Sequence, residues 1–514
     1  MKRFDAIIYC IFGLCLAHSL WVMSIGWNNT ILDMHGFRQT QTAISVYYLL
    51  KGGRWLAYET PVLGAPWSIP FEFPLYQWIV ALVVKLTALP IDQGGRLVSI
   101  LFFYLCLVPA YMFLGCLRVP RVHRFIFLSL FLASPIYLFW SRTFMIESTA
   151  FFLSLSFLAA VGRYFDKQQR GYFVLAVFLG IAGALVKITT FFGFALAGGF
   201  YFCAVLLKKI QRREDVTNPS KLICFVLLPV VGFAVIPVLC VSLWVHFADL
   251  HKLEVPLAAK FITSVALQKW NFGSLDQKLS VTLWKNIILG RVMPDILGSS
   301  LIPFISLLLL PLMKHHKRVY LISIFVFFAV IFVFTNLHFE HNYYQYANAL
   351  FVLVALGFCI VSLLEQNGAY KILGSALLIL TLYRSLFFYY QNFYPVAKTN
   401  NLFTLEVSEA IRKNTQPNEV ILIYGDDWNP RIPYYSQRRA IMDRQFRQLC
   451  DPDVQETFNN VSGQTMGAVA FCLGIREDRN EIRHRVKDLD LQPRPFYHDG
   501  ACEVYLPSSR AFLN

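Results

Sequence analysis

PLYQWIVALVVKLTALP, residues 74–90, decides how often this chain crosses a membrane. The segment is apolar, but it has only 17 residues, lies between Pro74 and Pro90, and carries Lys85. A helix needs about 20 predominantly apolar residues to cross a hydrocarbon core about 30 Å thick. Eleven other stretches span that length or nearly so: 5–25, 97–117, 125–140, 148–162, 171–187, 188–207, 221–247, 297–313, 319–336, 343–364 and 371–391. Between them stand short basic clusters: Arg118, Arg121 and Arg124; Lys167 and Arg170; Lys208, Lys209, Arg212 and Arg213; Lys314, Lys317 and Arg318. The positive-inside rule puts all four in the cytoplasm, together with Met1–Arg3. A full crossing by residues 74–90 breaks that alternation. The segment is therefore expected as an interfacial or re-entrant helix of a long external loop, residues 26–96, and the chain is expected to cross eleven times. An ordinary short span, making twelve, is the competing reading.

Composition supports a membrane solvent. Of 514 residues, 56% are hydrophobic and 16% aromatic, and the mean hydropathy is +0.51. A soluble chain of this kind would expose more apolar surface than water tolerates. The net charge of +15 does not indicate nucleic acid, because the cations are spread over interhelical loops instead of one soluble face. The start, MKRFDAIIYCIFGLCLAHSLWVM, is expected as a retained first helix: its apolar run is long and it lacks a small-x-small cleavage site.

The alternation places loop 26–96, the turns at 141–147, Lys187 and 337–342, loop 248–296 and the tail from residue 394 on one external side. Residues 1–393 are thus expected as the transmembrane domain and 394–514 as a soluble one. The tail is richer in Arg, Asp, Asn and Gln. Helix-like LEVSEAIRKN, strand-like VILIYG and GAVAFCLG, helix-like EDRNEIRHRVKDL and strand-like ACEVYLP predict a small α/β domain. The expected fold class is a polytopic α-helical membrane protein with a small C-terminal α/β domain. Eleven cysteines are present with no CxxC pair, which argues against a structural zinc site. Cys450, Cys472 and Cys502 fall in the tail, where one disulfide is open to any two of them.

Ionisable residues at membrane depth are costly, and those found there are functional candidates. Four sets converge on the external side. Asp33 and His35 precede RQTQTAISVYYLL, an amphipathic stretch suited to a helix lying on the membrane, and Glu72 follows in FEFPLY. SRTFMIES carries Arg142 and Glu147, for which the bland account is a snorkelling Arg and its ion-pair partner. Lys187 stands in GALVKITTFFG, where two apolar runs meet, and snorkelling accounts for it equally well. NLHFEHNYYQYAN packs His338, Glu340, His341, Tyr343 and Tyr344. An aromatic belt explains the tyrosines but not the histidines and the Glu.

In this order the four sets resemble the GT-C superfamily of membrane glycosyltransferases, near the branch of protein O-mannosyltransferases and lipid A aminoarabinose transferases. FEFPLYQW resembles that branch's Pro-rich stretch, SRTFMIES its second acidic element, GALVKITT its Lys-bearing segment, and HNYYQY its His-x-Tyr-Tyr element. DDWNPRIPYYSQRR in the tail resembles part of the periplasmic α/β domain. The first acidic motif departs from the pattern: Arg38 and Gln39 stand where Asp-Glu is usual, so Asp33 is the nearest substitute, with His35 and Glu72 behind it.

The resemblance implies an inverting transfer of one sugar from a polyprenyl-phosphate donor to a hydroxyl of a glycan, lipid or protein acceptor, at the outer face of a bacterial inner membrane. Asp33, His35, Glu72 and Glu147 are the expected catalytic residues. Arg38, Gln39, Arg142, Lys187, His341, Tyr343 and Tyr344 are expected to hold the donor phosphate or substrate. Asp33, Glu72, Glu147 and Glu340 offer oxygens to a divalent ion, but no metal ligand is assigned. A polymerase or ligase of lipid-linked glycans, a polytopic transporter and a non-enzymatic scaffold are the alternatives. A transporter would often show internal repeats, and none is visible here.

Overall fold

The computed structural model describes residues 2–212, 219–313, 316–400, 403–443, 451–472 and 479–508. The chain is a polytopic α-helical membrane protein. Among the described residues, seven helices are long and apolar enough to cross a membrane: Phe4–Ser24, Ile91–Cys116, Glu147–Lys167, Ile188–Gln211, Phe225–Leu253, Asn342–Leu364 and Ala369–Lys398. They correspond to seven of the eleven expected spans. The other four are shorter or interrupted. Stretch 125–140 breaks at Ser134, ahead of Pro135, into Arg121–Ala133 and Pro135–Trp140, as the clash of a proline ring with the preceding turn requires. Arg170–Val186 and Lys317–Val333 have 17 residues each, and Ile302–Leu309 continues as one 3-10 turn. The contested segment forms the helix Leu75–Thr87, 13 residues, or about 20 Å at 1.5 Å per residue, short of a hydrocarbon core of about 30 Å.

The chain divides into two compact units. The first comprises Met1–Trp27, Arg96–Trp244 and Gln268–Lys398. Its centre is the pair Glu147–Lys167 and Asn342–Leu364, whose most apolar windows are 83% and 94% buried, against 22–39% for the other long helices. Phe178, Leu308 and Ile372 stand exposed on the surrounding helices, an apolar surface that lipid chains satisfy and water does not. Small residues let the helices approach closely. A Cβ on Gly357 would fall 2.4 Å from the Phe127 ring. Gly357→Val is therefore expected to destabilise the protein by about 1–3 kcal/mol through overpacking, read as a lowered thermal midpoint in detergent.

The second unit comprises Asn28–Gly95, Val245–Leu267 and Thr399–Asn514. The tail thus shares its unit with the loop after the first helix and with part of loop 248–296. Among the described residues five strands, β1 (Val420–Tyr424), β2 (Arg439–Asp443), β3 (Met466–Cys472), β4 (Tyr497–His498) and β5 (Cys502–Tyr505), lie in the order β2-β1-β3-β5-β4. β1 runs parallel to β2 and β3, and β5 antiparallel to β3 and β4. β1, β3 and β5 fall in VILIYG, GAVAFCLG and ACEVYLP. Residues 61–64 lie along β2: Ala440 N donates to Pro61 O at 2.9 Å and Met442 N to Val62 O at 3.0 Å. A disulfide joins Cys472 to Cys502, which are register partners on β3 and β5. Cys450 lies outside the described residues.

Candidate active site

In the first unit the candidates gather at a break between two helices. Arg170–Val186 ends at Lys187, whose extended backbone (φ −162°, ψ 96°) opens the helix Ile188–Gln211. The turn directs the ammonium to Glu147, first residue of the helix Glu147–Lys167, with Nζ 2.5 Å from Oε1. Both side chains are only 5% exposed. The same Nζ lies 4.1 Å from the Tyr344 ring centroid and 5.3 Å from that of Tyr343. His341 stacks on Tyr343 with centroids 5.2 Å apart. The cation thus has a carboxylate and two ring faces as partners, both favourable in a dry setting.

Removing one member of such a pair leaves an uncompensated buried charge. Glu147→Ala is expected to cost about 3–5 kcal/mol, checked by denaturation of the detergent-solubilised protein.

Arg142 is buried beside this cluster's helix, donating from Nη1 to Ile25 O at 3.3 Å and lying over the Phe139 ring. The sequence reading missed Arg291. Its guanidinium donates to His338 O at 2.7 Å and to Phe339 O, holding the last carbonyls of the short helix Thr335–Glu340. Asp295 lies one turn on, and burial pushes its carboxyl up to about 7 despite the nearby Arg291. Neither belongs to a motif, and no local pattern in the sequence marks them.

In the second unit the helix Gly36–Leu50 organises the candidates. His35 is its N-cap, in left-handed conformation (φ 53°). Gln39, on the first turn, donates from Nε2 to Asp33 Oδ1 at 2.5 Å and to Met34 O at 3.0 Å, so the amide orients the Asp33 carboxylate. Arg38 donates to Gln41 Oε1 at 2.7 Å and pairs with Glu72. Tyr58 fixes the Glu72 segment by donating to Glu72 O at 3.0 Å and accepting from Phe71 N at 2.7 Å. Arg38 and Gln39, the departure from the usual acidic pair, thus each engage one of the two carboxylates.

Two further groups of this unit escaped the sequence reading. Lys252, buried at 6% exposure, pairs with Asp249 at 3.2 Å and lies over the Phe71 ring. Trp428 stacks on Phe71 (5.6 Å) and meets Phe37 edge-on (4.8 Å). Trp428 does fall in DDWNPRIPYYSQRR, where the resemblance pointed, but Lys252 ends an apolar run and reads as a snorkelling anchor. Tyr434 and Tyr435 of the same stretch donate to Asp92 Oδ1 and Oδ2 at 2.5 and 2.8 Å.

Asp426 adds a pH dependence. Burial raises its carboxyl to about 6, opposed by Arg431 and a hydrogen bond from Asn429. A raised acid pKa favours folding while the group is protonated, so this stability is complete below about pH 4 and lost as pH rises through about 6. Asp426→Asn is expected to match the parent protein near pH 4 and to exceed it in thermal midpoint at pH 7.5.

Among the described residues, no group of three or more His, Cys, Asp or Glu is placed to hold a metal ion. Asp33, Glu72 and Glu147 are engaged by Gln39, Arg38 and Lys187, while Glu340 is exposed.

No family model and no curated protein sequence matches this chain. Solved structures do. ArnT from Cupriavidus metallidurans in the apo state superimposes with a TM-score of 0.62 at 13% identity, over 96% of this chain and 97% of that one. The same protein bound to undecaprenyl phosphate gives 0.60 over the same shares. The apo oligosaccharyltransferase of Archaeoglobus fulgidus gives 0.52 at 10% identity, over 90% of this chain and 69% of that one. These are membrane glycosyltransferases of the GT-C superfamily. The chain has the GT-C fold. The likeness to ArnT runs through both units and nearly the whole length of each protein, so the second unit is part of the shared fold.

Proposed function

We propose that this GT-C chain is an inverting glycosyltransferase that moves a single sugar from a polyprenyl-phosphate donor to an acceptor hydroxyl at the outer face of a bacterial inner membrane. The observation that carries the reading is the buried Glu147–Lys187 pair beneath Tyr343 and Tyr344. A fixed ammonium at a helix break, in a fold one of whose neighbours was solved with undecaprenyl phosphate bound, suits the phosphate of a lipid-linked sugar.

A phosphate is already a good leaving group, so two tasks remain. The acceptor hydroxyl must lose its proton as its oxygen attacks the anomeric carbon, and Asp33, held by Gln39, takes that proton. The anomeric carbon–oxygen bond breaks with its electron pair going to the phosphate, and Lys187, with Arg142 and His341, stabilises that charge. One displacement inverts the centre. Glu147 keeps Lys187 oriented, and Glu72 does the same for Arg38. His35 shapes the entry to the helix Gly36–Leu50.

The acceptor is a glycan, lipid or protein, and the N-terminus is cytoplasmic with the tail periplasmic. The Cys472–Cys502 disulfide agrees with a periplasmic tail, since such bonds persist in oxidising compartments. The test is transfer by the full chain in liposomes, from polyprenyl-phosphate monosaccharides to an envelope extract. Release of polyprenyl phosphate coupled to a labelled acceptor supports the reading. Deletion cells with unchanged surface glycans, together with no transfer from any donor of the panel, would sink it.

A further inference from the structure

The first unit holds a second cationic site at the far end of the helices that carry the Glu147–Lys187 pair. Glu147 begins the helix Glu147–Lys167 and Asp166 lies in its last turn, about 30 Å away at 1.5 Å per residue. Likewise Lys187 precedes the helix Ile188–Gln211, which ends on Lys208 and Lys209. At that end a cavity of about 530 Å³ opens between the helices. Its wall is apolar, with Leu155, Leu158, Phe200 and Val326 among the lining residues. Among the described residues that line it, five are basic (Arg118, Lys208, Lys209, Arg212 and Arg318) and one, Asp166, is acidic. That acid already accepts a hydrogen bond from the Tyr201 hydroxyl at 3.2 Å.

Basic residues at a membrane boundary ordinarily snorkel to the headgroup layer. Here the five cations line the same cavity as the apolar side chains, and its volume falls in the range of ligand pockets. One kind of molecule satisfies both features: a hydrocarbon chain for the apolar side chains and an anion for the cations.

We propose that this cavity is a lipid site, separate from the candidate active site, that takes a lipid whose phosphate headgroup carries a net negative charge. The chain lies along Leu158, Phe200 and Val326, and the phosphate meets Lys208, Lys209 and Arg318. Arginine and lysine together suit a phosphate, the first as a forked donor and the second as a compact charge. The assignment is independent of the proposed transferase activity.

Photoreactive lipids test it on the full chain in nanodiscs. Three probes carry the reactive group in the chain: phosphatidylglycerol, undecaprenyl phosphate and, as a zwitterionic control, phosphatidylcholine. One of the first two is expected to label peptides containing Phe200 or Val326 well above the control. Phosphatidylglycerol labelling would identify the bilayer as the source, and undecaprenyl phosphate labelling a polyprenyl carrier. The triple variant Lys208→Gln, Lys209→Gln, Arg318→Gln should lower labelling by at least about tenfold. Ala197→Trp, which leaves the charges intact and fills the cavity, should do the same, and stands alone if the triple variant fails to fold. Labelling no stronger than the control, or undiminished in a folded variant, overturns the proposal.

Discussion

Lys187→Met is expected to lower kcat for sugar transfer by about 10²–10³, or about 2.7–4 kcal/mol of transition-state stabilisation. The charge on the departing phosphate grows as its bond to the anomeric carbon breaks, and a fixed ammonium contributes most at that moment. Lys187 cannot swing away, since Glu147 holds Nζ at 2.5 Å and Tyr343 and Tyr344 cover it. Methionine keeps much of the length and removes the charge. It also leaves Glu147 buried and unpaired, so the double variant Lys187→Met, Glu147→Gln separates the two effects. If the loss belongs to catalysis, the double variant regains thermal stability while kcat stays low. Should kcat recover along with stability, Lys187 has a structural role only.

Asp33→Asn is expected to reduce kcat by about 10²–10⁴, the usual contribution of a positioned general base. Asparagine still offers Gln39 a carbonyl oxygen, so the helix entry and the Arg38–Glu72 pair are preserved. Protein level and donor binding should therefore match the parent chain. Loss of kcat with protein level and donor binding unchanged is the distinguishing result. Retained activity would move that role to His35 or Glu72.

The seven long helices were legible because each is a long apolar run, and lipid imposes that requirement residue by residue. Charge placement was equally readable, and on that reading residues 74–90 stay out of the count of spans; they form a helix of 13 residues. Where the run was broken by a proline, as at Ser134–Pro135, the sequence showed continuous apolar character and hid the interruption. β2 was missed because Arg439 and Asp443 bound only three apolar residues, too short a run to announce a strand. Its placement depends on pairing with β1 on one side and residues 61–64 on the other, partners nearly 20 and 380 residues distant. Side-chain partners were the least legible. Arg142 and Glu147 lie five residues apart and invite pairing, yet the ammonium on Glu147 belongs to Lys187, 40 residues later. Only the turn at Lys187 directs it there. Arg38 and Gln39 looked like a defect in an acidic motif; the fold shows each engaging a carboxylate that a linear reading had considered separately.

The most direct test of the account follows the lipid product. Full-length protein in liposomes, given a polyprenyl-phosphate sugar with label in the sugar, should release polyprenyl phosphate in equal amount to the label gained by the acceptor. The new bond should have inverted anomeric configuration, and Asp33→Asn and Lys187→Met should each slow the release by at least about a hundredfold. Release of a polyprenyl pyrophosphate, transfer with retained configuration, or release by both variants as fast as by the parent chain would contradict it.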